Sequence, residues 1–268
     1  MLEQRDSLLE AAIDASRIAA AAILAVYATD FEVRGKGDSS PVTAADERAE
    51  ALILQALARC DPEVPIISEE AASHGCAPAP RQRFWLVDPL DGTKEFIGRN
   101  GEFTVNIALI ENGRPVLGVV HAPALDRLYA GCELPGEEGG FVAFVEEAGR
   151  RSPIRCRAVP AEGATVVSSR SHGDAAALDA FLAGRRVAAS VNAGSSLKLC
   201  LVATGGADLY PRLGRTMEWD IAAGHAVLRA AGGDVRTLDG QTLRYGKPGL
   251  DNPHFVASGL EQPAPQTI

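Results

Sequence analysis

The sequence predicts an α+β half followed by an α/β half, and three observations support this division. Between residues 65 and 132, apolar runs follow one another at the spacing of successive strands, after two helical segments. Asn112 and Gly113 lie between two of these runs and form a strong hairpin signal, which indicates antiparallel pairing. After about residue 145, strand-like runs alternate with helical segments, as in α/β proteins. We therefore expect an α+β domain at residues 1–147 and an α/β domain at residues 148–268.

The first half begins with two predicted helices. Residues 2–28 are alanine-rich and helical in pattern, and residues 29–40 are predicted to hold a short strand and a polar loop. The second helix starts at Pro41 and runs to about Cys60. Thr43 is a candidate cap for it, and an acidic pair beginning at Asp46 suits its first turn. The strands that follow are expected at 65–68, 84–88, 103–111, 115–121 and 128–132.

The second half shows a different order of apolar segments. Short runs with strand composition are separated by segments of helical length, which is typical of α/β units. Strands are expected at 165–168, 187–189 and 207–211, and helices at 175–183, 196–204 and 221–231.

Composition and charge exclude several classes of partner. The chain has 268 residues and a net charge of −9, with no basic block, which argues against nucleic acid as a partner. Five scattered cysteines without a CxxC pair indicate reduced thiols. The apolar run at residues 18–27 is too short to span a bilayer, so no integral membrane segment is expected. We expect a cytoplasmic protein, with peripheral contact at the inner membrane face and a monomeric or homodimeric state left open.

The most informative feature is the sequence Asp-Pro-Leu-Asp-Gly-Thr at residues 88–93, which follows an apolar run. Proline stops the strand, and glycine lets the backbone approach a ligand closely. Asp88 and Asp91 lie on either side of this turn, where two carboxylates repel each other unless a cation holds them. Hard oxygen ligands favour Mg²⁺ or Mn²⁺ over zinc. Taken alone, the same pair is equally consistent with two residues that only cap a turn.

Two further carboxylate clusters favour a metal site. Glu69 and Glu70 end another apolar run, and Asp220 stands just before an alanine-rich helix. Three carboxylate clusters at the ends of strands or helices are what a phosphoryl-transfer site with several metal ions needs.

With these motifs the chain resembles the inositol monophosphatase superfamily of Mg²⁺-dependent, Li⁺-sensitive phosphatases. The resemblance rests on residues 88–93, on Trp-Asp-Ile-Ala-Ala-Gly at 219–224 and on the spacing from Asp46 to Glu69. Within the superfamily it is most similar to the bacterial CysQ group of 3′(2′),5′-bisphosphate nucleotidases, through residues 84–110, Ser-Arg-Ser-His at 169–172 and Gly-Ser-Ser-Leu-Lys at 194–198. The fold implied is a layered αβαβα sandwich, the inositol monophosphatase or sugar phosphatase-like fold, with the site between the halves.

The resemblance also implies roles for individual residues. Two or three Mg²⁺ ions are expected, with Mn²⁺ as a possible substitute. Asp46 and Thr93 would activate the attacking water. Glu70 would contact the metal ligands without binding an ion itself. The implied metal ligands are Glu69, Asp88, the carbonyl of Leu90, Asp91 and Asp220.

The substrate is expected to contact residues from both halves. Cations at Lys198 and Arg212 suit a second phosphate. The simpler inositol enzymes carry a carboxylate where this chain has Leu213, and a leucine beside a cation favours an anionic, partly apolar ligand over a polyol. The implied substrate contacts are Gly92, Thr93, His172, Ser195, Lys198, Arg212 and Asp220.

The resemblance therefore implies a phosphatase that removes the 3′-phosphate of adenosine 3′,5′-bisphosphate (PAP) to give AMP, and that recycles a by-product of sulfate assimilation. Two alternatives stay open. One is an inositol or sugar monophosphatase of broad specificity, and the other is a catalytically silent binding protein on the same fold. The remaining histidines and both tryptophans, Trp85 and Trp219, are interpreted as structural.

Overall fold

The computed structural model describes residues 2–29, 41–134, 140–170 and 175–260. The helices are α1 (Leu2–Tyr27), α2 (Pro41–Cys60), α3 (Glu69–Ser73), α4 (Thr93–Ile97), α5 (Ala175–Leu182), α6 (Leu197–Ala203) and α7 (Glu218–Ala230). The strands are β1 (Ile66–Ser68), β2 (Arg83–Asp91), β3 (Thr104–Glu111), β4 (Arg114–Ala122), β5 (Arg127–Leu134), β6 (Gly140–Glu147), β7 (Arg150–Pro153), β8 (Ala164–Ser169), β9 (Val187–Ala193), β10 (Leu209–Arg212), β11 (Asp234–Thr237) and β12 (Phe255–Ser258). Short 3₁₀ turns lie at Pro123–Leu125 and Pro248–Leu250.

Within the described residues the strands form two sheets. The first has seven strands in the order β1 to β7, with β1 parallel to β2 and the other pairs antiparallel. The second has five strands in the order β11-β12-β10-β8-β9. In it β8 is parallel to both neighbours, whereas β12 is antiparallel to β10 and β11.

The sheets stack with helices in alternating layers. Phe84 and Leu86 of β2 pack in one core with α6, α7 and the second sheet. Trp85 and Val87 face the opposite way and pack with α1 and α2, as the two-residue period of a strand requires. On the outer side of the second sheet, α5 shares a cavity with β8 and β9. This αβαβα order confirms the fold class predicted from the sequence.

Helix α7 joins the halves because it lies directly on the first sheet. A Cβ added to Gly118 of β4 would lie 2.3 Å from the Ala223 carbonyl oxygen, and one added to Gly131 of β5 would lie 2.6 Å from Val227 Cα. Both helix contacts are backbone atoms. Glycine in these strands therefore allows the helix backbone to approach the sheet more closely than any side chain would permit.

Several local expectations can be compared with the structure. The hairpin is confirmed: Asn112 and Gly113 have φ of 51° and 73°, the conformation of a type I′ turn between β3 and β4. The cap at Thr43 is wrong, because α2 already begins at Pro41. Most of the predicted loop at 29–40 lies outside the described residues.

Other differences concern the ends and edges of the sheets. Strands β6 and β7 were not anticipated, and β7 extends the first sheet to Pro153, past the expected domain boundary at 147. Strands β11 and β12 were also missed, and α7 begins at Glu218 rather than at residue 221. No helix among the described residues is long and apolar enough to cross a membrane. Location and oligomeric state remain predictions.

The close contact under α7 leads to a stability prediction. We expect Gly118→Ala to lower the free energy of unfolding by about 1–3 kcal/mol, because its Cβ would overlap the helix backbone. Thermal denaturation should show a decrease in Tm of roughly 5 °C. Gly140→Ala is the matched control, because a Cβ there would meet only Leu134 Cδ1, at 3.7 Å. An equal Tm for the two variants would contradict this account.

Candidate active site

Two carboxylates meet beside the end of β1. β1 and β2 run parallel with Ser68 opposite Val87, so the next residues lie side by side: Glu69, which follows β1, and Asp88, which is still in β2. Their side chains are close enough to share a hydrogen bond. Asp88 Oδ1 also accepts a hydrogen bond from the Leu90 backbone N at 3.1 Å, which fixes the carboxylate across the turn.

The turn after Asp88 places the residues that follow it along the edge of a cavity. Pairing of β2 with β3 slips between Asp88 and Asp91, which bends the end of the strand. Gly92 has φ of 91°, and its position is confined, since an added Cβ would lie 3.3 Å from Phe103 Cα. Glycine is therefore needed for both conformation and space. Thr93, the first residue of α4, follows directly.

Two serines of the second half form hydrogen bonds to Asp91 in this turn. Ser195 Oγ donates to Asp91 Oδ2 at 2.5 Å and lies 2.5 Å from Thr104 Oγ1. Ser196 Oγ lies 3.1 Å from Asp91 Oδ2 and 2.7 Å from the Asp220 carbonyl oxygen. Asp220 stands in the first turn of α7, where its Oδ2 accepts a hydrogen bond from the Met217 backbone N at 2.8 Å. These contacts bring Asp91 and Asp220 to one place.

The two halves enclose a cavity of about 330 Å³. Most of the residues predicted from the sequence line it: Glu69, Asp88, Leu90, Asp91, Gly92, Thr93, Ser195, Lys198, Arg212 and Asp220. Asp46 is not among the lining residues, and His172 lies outside the described residues. The structure thus brings these residues together at one cavity, whereas the role of each residue stays a prediction.

Four carboxylates form what we call the acidic wall of the cavity: Glu69, Asp88, Asp91 and Asp220. Burial and mutual repulsion raise the pKa of three of them. Burial, together with the charges of Glu69 and Asp91, raises the pKa of Asp88 well above its usual range. Burial and the charge of Asp91 raise the pKa of Glu69 to about 7. The same two causes raise the pKa of Asp220 to about 7. The wall therefore resists full ionisation in the absence of a cation.

Asp46 lies behind this wall, in α2. Burial and the charge of Glu70 raise its pKa to about 9, and the two side chains share a hydrogen bond. Its Oδ1 is buried without a hydrogen-bond partner. Glu50 Oε1, on the next turn of α2, accepts the Ala71 backbone N at 3.2 Å, which ties α2 to α3. Whether Asp46 acts with Thr93 stays a prediction.

The residues present fit a hard divalent cation. No group of three His, Cys, Asp or Glu side chains in the described ranges has the geometry of a preformed metal site. The donors are nevertheless all oxygens, two pairs of carboxyl groups share hydrogen bonds, and Asp46 Oδ1 is buried without a partner. This donor chemistry suits Mg²⁺.

A buried cation also lines the cavity. Lys198 of α6 is only 5 % exposed, and its Nζ donates to the carbonyl oxygens of Ala193, at 3.4 Å, and Ser195. The ammonium lies 5.6 Å from the ring centroid of Tyr210. Burial lowers the pKa of Lys198 to about 8, a shift that the charge of Asp91 opposes. Arg212 ends β10 beside it and donates to the Arg215 carbonyl oxygen at 2.9 Å.

Sequence reasoning missed several residues of this site, among them Ser196, Glu95 and Tyr210. Glu95 of α4 is 6 % exposed and lines the cavity, and its charge opposes the lowering of the Lys198 pKa. Its only signal was its place two positions after Thr93. Tyr210 also lines the cavity but is indistinguishable in the sequence from any strand tyrosine. His225, interpreted as structural, is fully buried, with Nδ1 2.8 Å from the Tyr245 hydroxyl.

Comparison with known proteins identifies the family and the fold. The model of the inositol monophosphatase family matches residues 4–264. This chain belongs to that family. The family is metal-dependent, typically with Mg²⁺, which agrees with the oxygen-rich wall of the cavity.

Relatives of this inositol monophosphatase family member carry a more specific name. It is 46 % identical over 254 residues to the 3′(2′),5′-bisphosphate nucleotidase CysQ of Escherichia coli K12, covering 94 % of this chain and 99 % of that protein. The Salmonella typhimurium CysQ is 49 % identical over 240 residues, covering 89 % and 94 % of the two chains. Among solved structures, CysQ from Bacteroides thetaiotaomicron matches with a TM-score of 0.79 and 36 % identity, covering 95 % and 97 %.

The repulsion in the acidic wall leads to a prediction on pH. In EDTA, the folded protein should hold protons on Asp46, Glu69 and Asp220 that the unfolded chain releases near pH 4. The stability that these three groups contribute is then fully present below about pH 4 and is lost as pH rises to about 7, and to about 9 for Asp46. We expect Tm to be several degrees lower at pH 8.5 than at pH 5.5, and Mg²⁺ to restore it.

Asp220→Asn is the control for this measurement. Asparagine stays neutral at every pH, so the decrease in Tm between pH 5.5 and 8.5 should be smaller in this variant. A wild-type Tm in EDTA that stays constant or rises over the same interval would contradict the electrostatic account.

Proposed function

We propose that this protein is a Mg²⁺-dependent phosphatase that removes the 3′-phosphate of adenosine 3′,5′-bisphosphate and releases AMP and phosphate. The observation that carries the proposal is the buried ammonium of Lys198 in the cavity that the carboxylates also line, because a substrate with two phosphates needs one site for each. The names of the CysQ relatives, at 46 % and 49 % identity, support the same substrate class.

In this proposal the first half supplies most of the metal site and the second supplies most of the substrate contacts. The carboxylates of Glu69, Asp88 and Asp91 would hold two or three Mg²⁺ ions together with the Leu90 carbonyl and Asp220, and Mn²⁺ would be a possible substitute. When bound, the ions neutralise phosphate charge and lower the pKa of a water molecule. The division into residues 1–147 and 148–268 stays a prediction, and β7 carries the first sheet past it to Pro153.

The chain's own groups then position the reactants. The backbone N–H groups of Gly92 and Thr93 hold the phosphate to be removed. Asp46 polarises the Thr93 hydroxyl, which orients the water for in-line attack. The water oxygen forms a bond to phosphorus as the bond from phosphorus to the ribose 3′-oxygen breaks. The proton that the water loses is taken up by that oxygen, which leaves as the 3′-hydroxyl of AMP.

The second phosphate binds at the cationic side of the cavity. Lys198 and Arg212 pair with its charge, and Ser195 and His172 contact the nucleotide. Because Lys198 Nζ is surrounded by carbonyl oxygens and Tyr210, it is pre-positioned rather than flexible. The expected setting is nucleotide recycling during sulfate assimilation.

A second candidate function is an inositol or sugar monophosphatase of broad specificity, with solved relatives such as the Anabaena inositol monophosphatase at TM-score 0.73 and 26 % identity. Leu213 opposes it, since no carboxylate is available there for sugar hydroxyls. Measuring kcat/KM on PAP, its sulfated derivative PAPS, inositol 1-phosphate and fructose 1,6-bisphosphate decides between the two. Preference for the inositol or fructose ester would overturn the nucleotidase, and no Mg²⁺-dependent release from any substrate would favour a silent binding protein.

The metal assignment predicts the effect of two neutral substitutions. Asp91→Asn and Asp220→Asn should each lower kcat at saturating Mg²⁺ by far more than tenfold, because each removes a ligand charge while keeping its size. Circular dichroism should show an unchanged fold. More than about a tenth of wild-type kcat in either variant corresponds to a loss of only about 1.4 kcal/mol and would contradict the assignment.

The substrate assignment predicts a change in selectivity. Lys198→Ala and Arg212→Ala should each lower kcat/KM for PAP by about 10- to 150-fold, the effect of losing a charge-assisted hydrogen bond worth about 1.5–3 kcal/mol. The kcat/KM for 3′-AMP should hardly change, because it has no second phosphate.

The monophosphate is therefore the internal control for both variants. If kcat/KM falls in parallel for PAP and 3′-AMP, these cations support the catalytic centre rather than the second phosphate. The nucleotidase would then lose its main physical support relative to a general phosphomonoesterase.

A further inference from the structure

The orientation of Asp220 depends on the backbone at the start of α7. Its Oδ2 accepts the hydrogen bond from Met217 N at 2.8 Å, and its carbonyl oxygen accepts Ser196 Oγ at 2.7 Å. One carboxylate oxygen is thus fixed by a backbone group outside the helix. A displacement of Met217 would therefore change where the other oxygen lies in the cavity.

Met217 is held in turn by Asn252, which is 8 % exposed and does not line the cavity. Asn252 Nδ2 donates to the Met217 carbonyl oxygen at 2.6 Å and lies 3.3 Å from Thr216 Oγ1. The Asn252 backbone N donates to the Thr216 carbonyl oxygen at 2.9 Å. Asn252 therefore bonds to both residues that lead into α7, beside a backbone bridge between Met217 and Asp251.

Lys247 and Glu218 hold Asn252 in place. Lys247 Nζ lies 3.2 Å from Asn252 Oδ1 and 2.6 Å from Glu218 Oε1. The Glu218 side chain is fully buried and also accepts the backbone N of Gly246, at 2.7 Å, and of Lys247, at 3.0 Å. A buried carboxylate is costly unless it is paired and hydrogen-bonded, and here three donors satisfy it. These residues form a connected support beneath the start of α7.

We propose that Asn252 and Lys247 are positioning residues that set the Mg²⁺ affinity of the site by fixing Asp220 through Met217. This inference rests on the proposed role of Asp220 as a metal ligand. Groups that orient a metal ligand without touching the ion typically change affinity by 10–100-fold when they are replaced. The lower end of that range is expected here, because Asn252 acts through one intervening residue.

The experiment is calorimetric titration of Mg²⁺ into the metal-free, full-length protein. Asn252→Ala and Lys247→Met should each raise the Kd for Mg²⁺ by roughly tenfold. With PAP, the Mg²⁺ concentration for half-maximal rate should rise by a similar factor. The kcat at saturating Mg²⁺ should stay within about threefold of wild type, because Asp220 is still present. Lys247→Met decides the question if Asn252→Ala does not fold.

Asp251→Asn is the matched control. The Asp251 side chain joins the same two segments from the outside, through an ion pair with Arg215 at 2.9 Å in which both groups are largely exposed. Its loss loosens the segment without touching Asn252 or Lys247, so the Kd for Mg²⁺ should not change. An equal weakening in this control would overturn the proposal, because general loosening would then explain the effect.

Asp220→Asn separates failure of this inference from failure of the proposed function. If it weakens Mg²⁺ binding while folded Asn252→Ala and Lys247→Met bind Mg²⁺ like wild type, only the positioning role is wrong. If it leaves Mg²⁺ binding unchanged, Asp220 is not a ligand, and the metal assignment and this inference both fail.

Discussion

Repulsion among buried carboxylates is the constraint on which this structure depends. Asp88 is 1 % exposed, and the charges of Glu69, Asp91 and Asp220 all raise its pKa. An unsupported chain would move these groups apart or keep them protonated. Parallel pairing of β1 with β2, the turn at Gly92 and the start of α7 hold them together instead. The stability needed to do so comes from the apolar layers on either side of the first sheet.

Helix α7 must meet two structural requirements at once. Its inner face must lie on the first sheet, where Gly118 and Gly131 leave room for its backbone. Its first turn must present Asp220 to a cavity that residues of both halves line. Asn252 meets the second requirement from outside the cavity, by holding Met217 and through it the Asp220 carboxylate. The packing of the helix and the orientation of Asp220 are therefore set by different parts of the chain.

Features that depend on two or three neighbouring residues were predictable from the sequence. The Asn112–Gly113 hairpin and the turn at Asp88 are examples, because glycine and proline restrict the backbone locally. Strands β6 and β7 were missed because β6 has a weak pattern, with Phe141 53 % exposed, and β7 is exposed throughout. The burial of Lys198 and the place of Glu95 depend on the packing of distant segments, which no local pattern encodes.

The core between the two sheets contains residues from both halves, among them Phe84 and Leu86 with Val227 and Leu228. The halves therefore contribute separate groups to the chemistry but share one folding unit. A gene fragment ending near residue 147 would leave an apolar sheet face uncovered and prone to aggregation. A chimera that takes the substrate contacts of its second half from another family member would have to retain α7 together with Gly118 and Gly131. Recombination within such a family is thus restricted to crossover points that keep this helix with its own sheet.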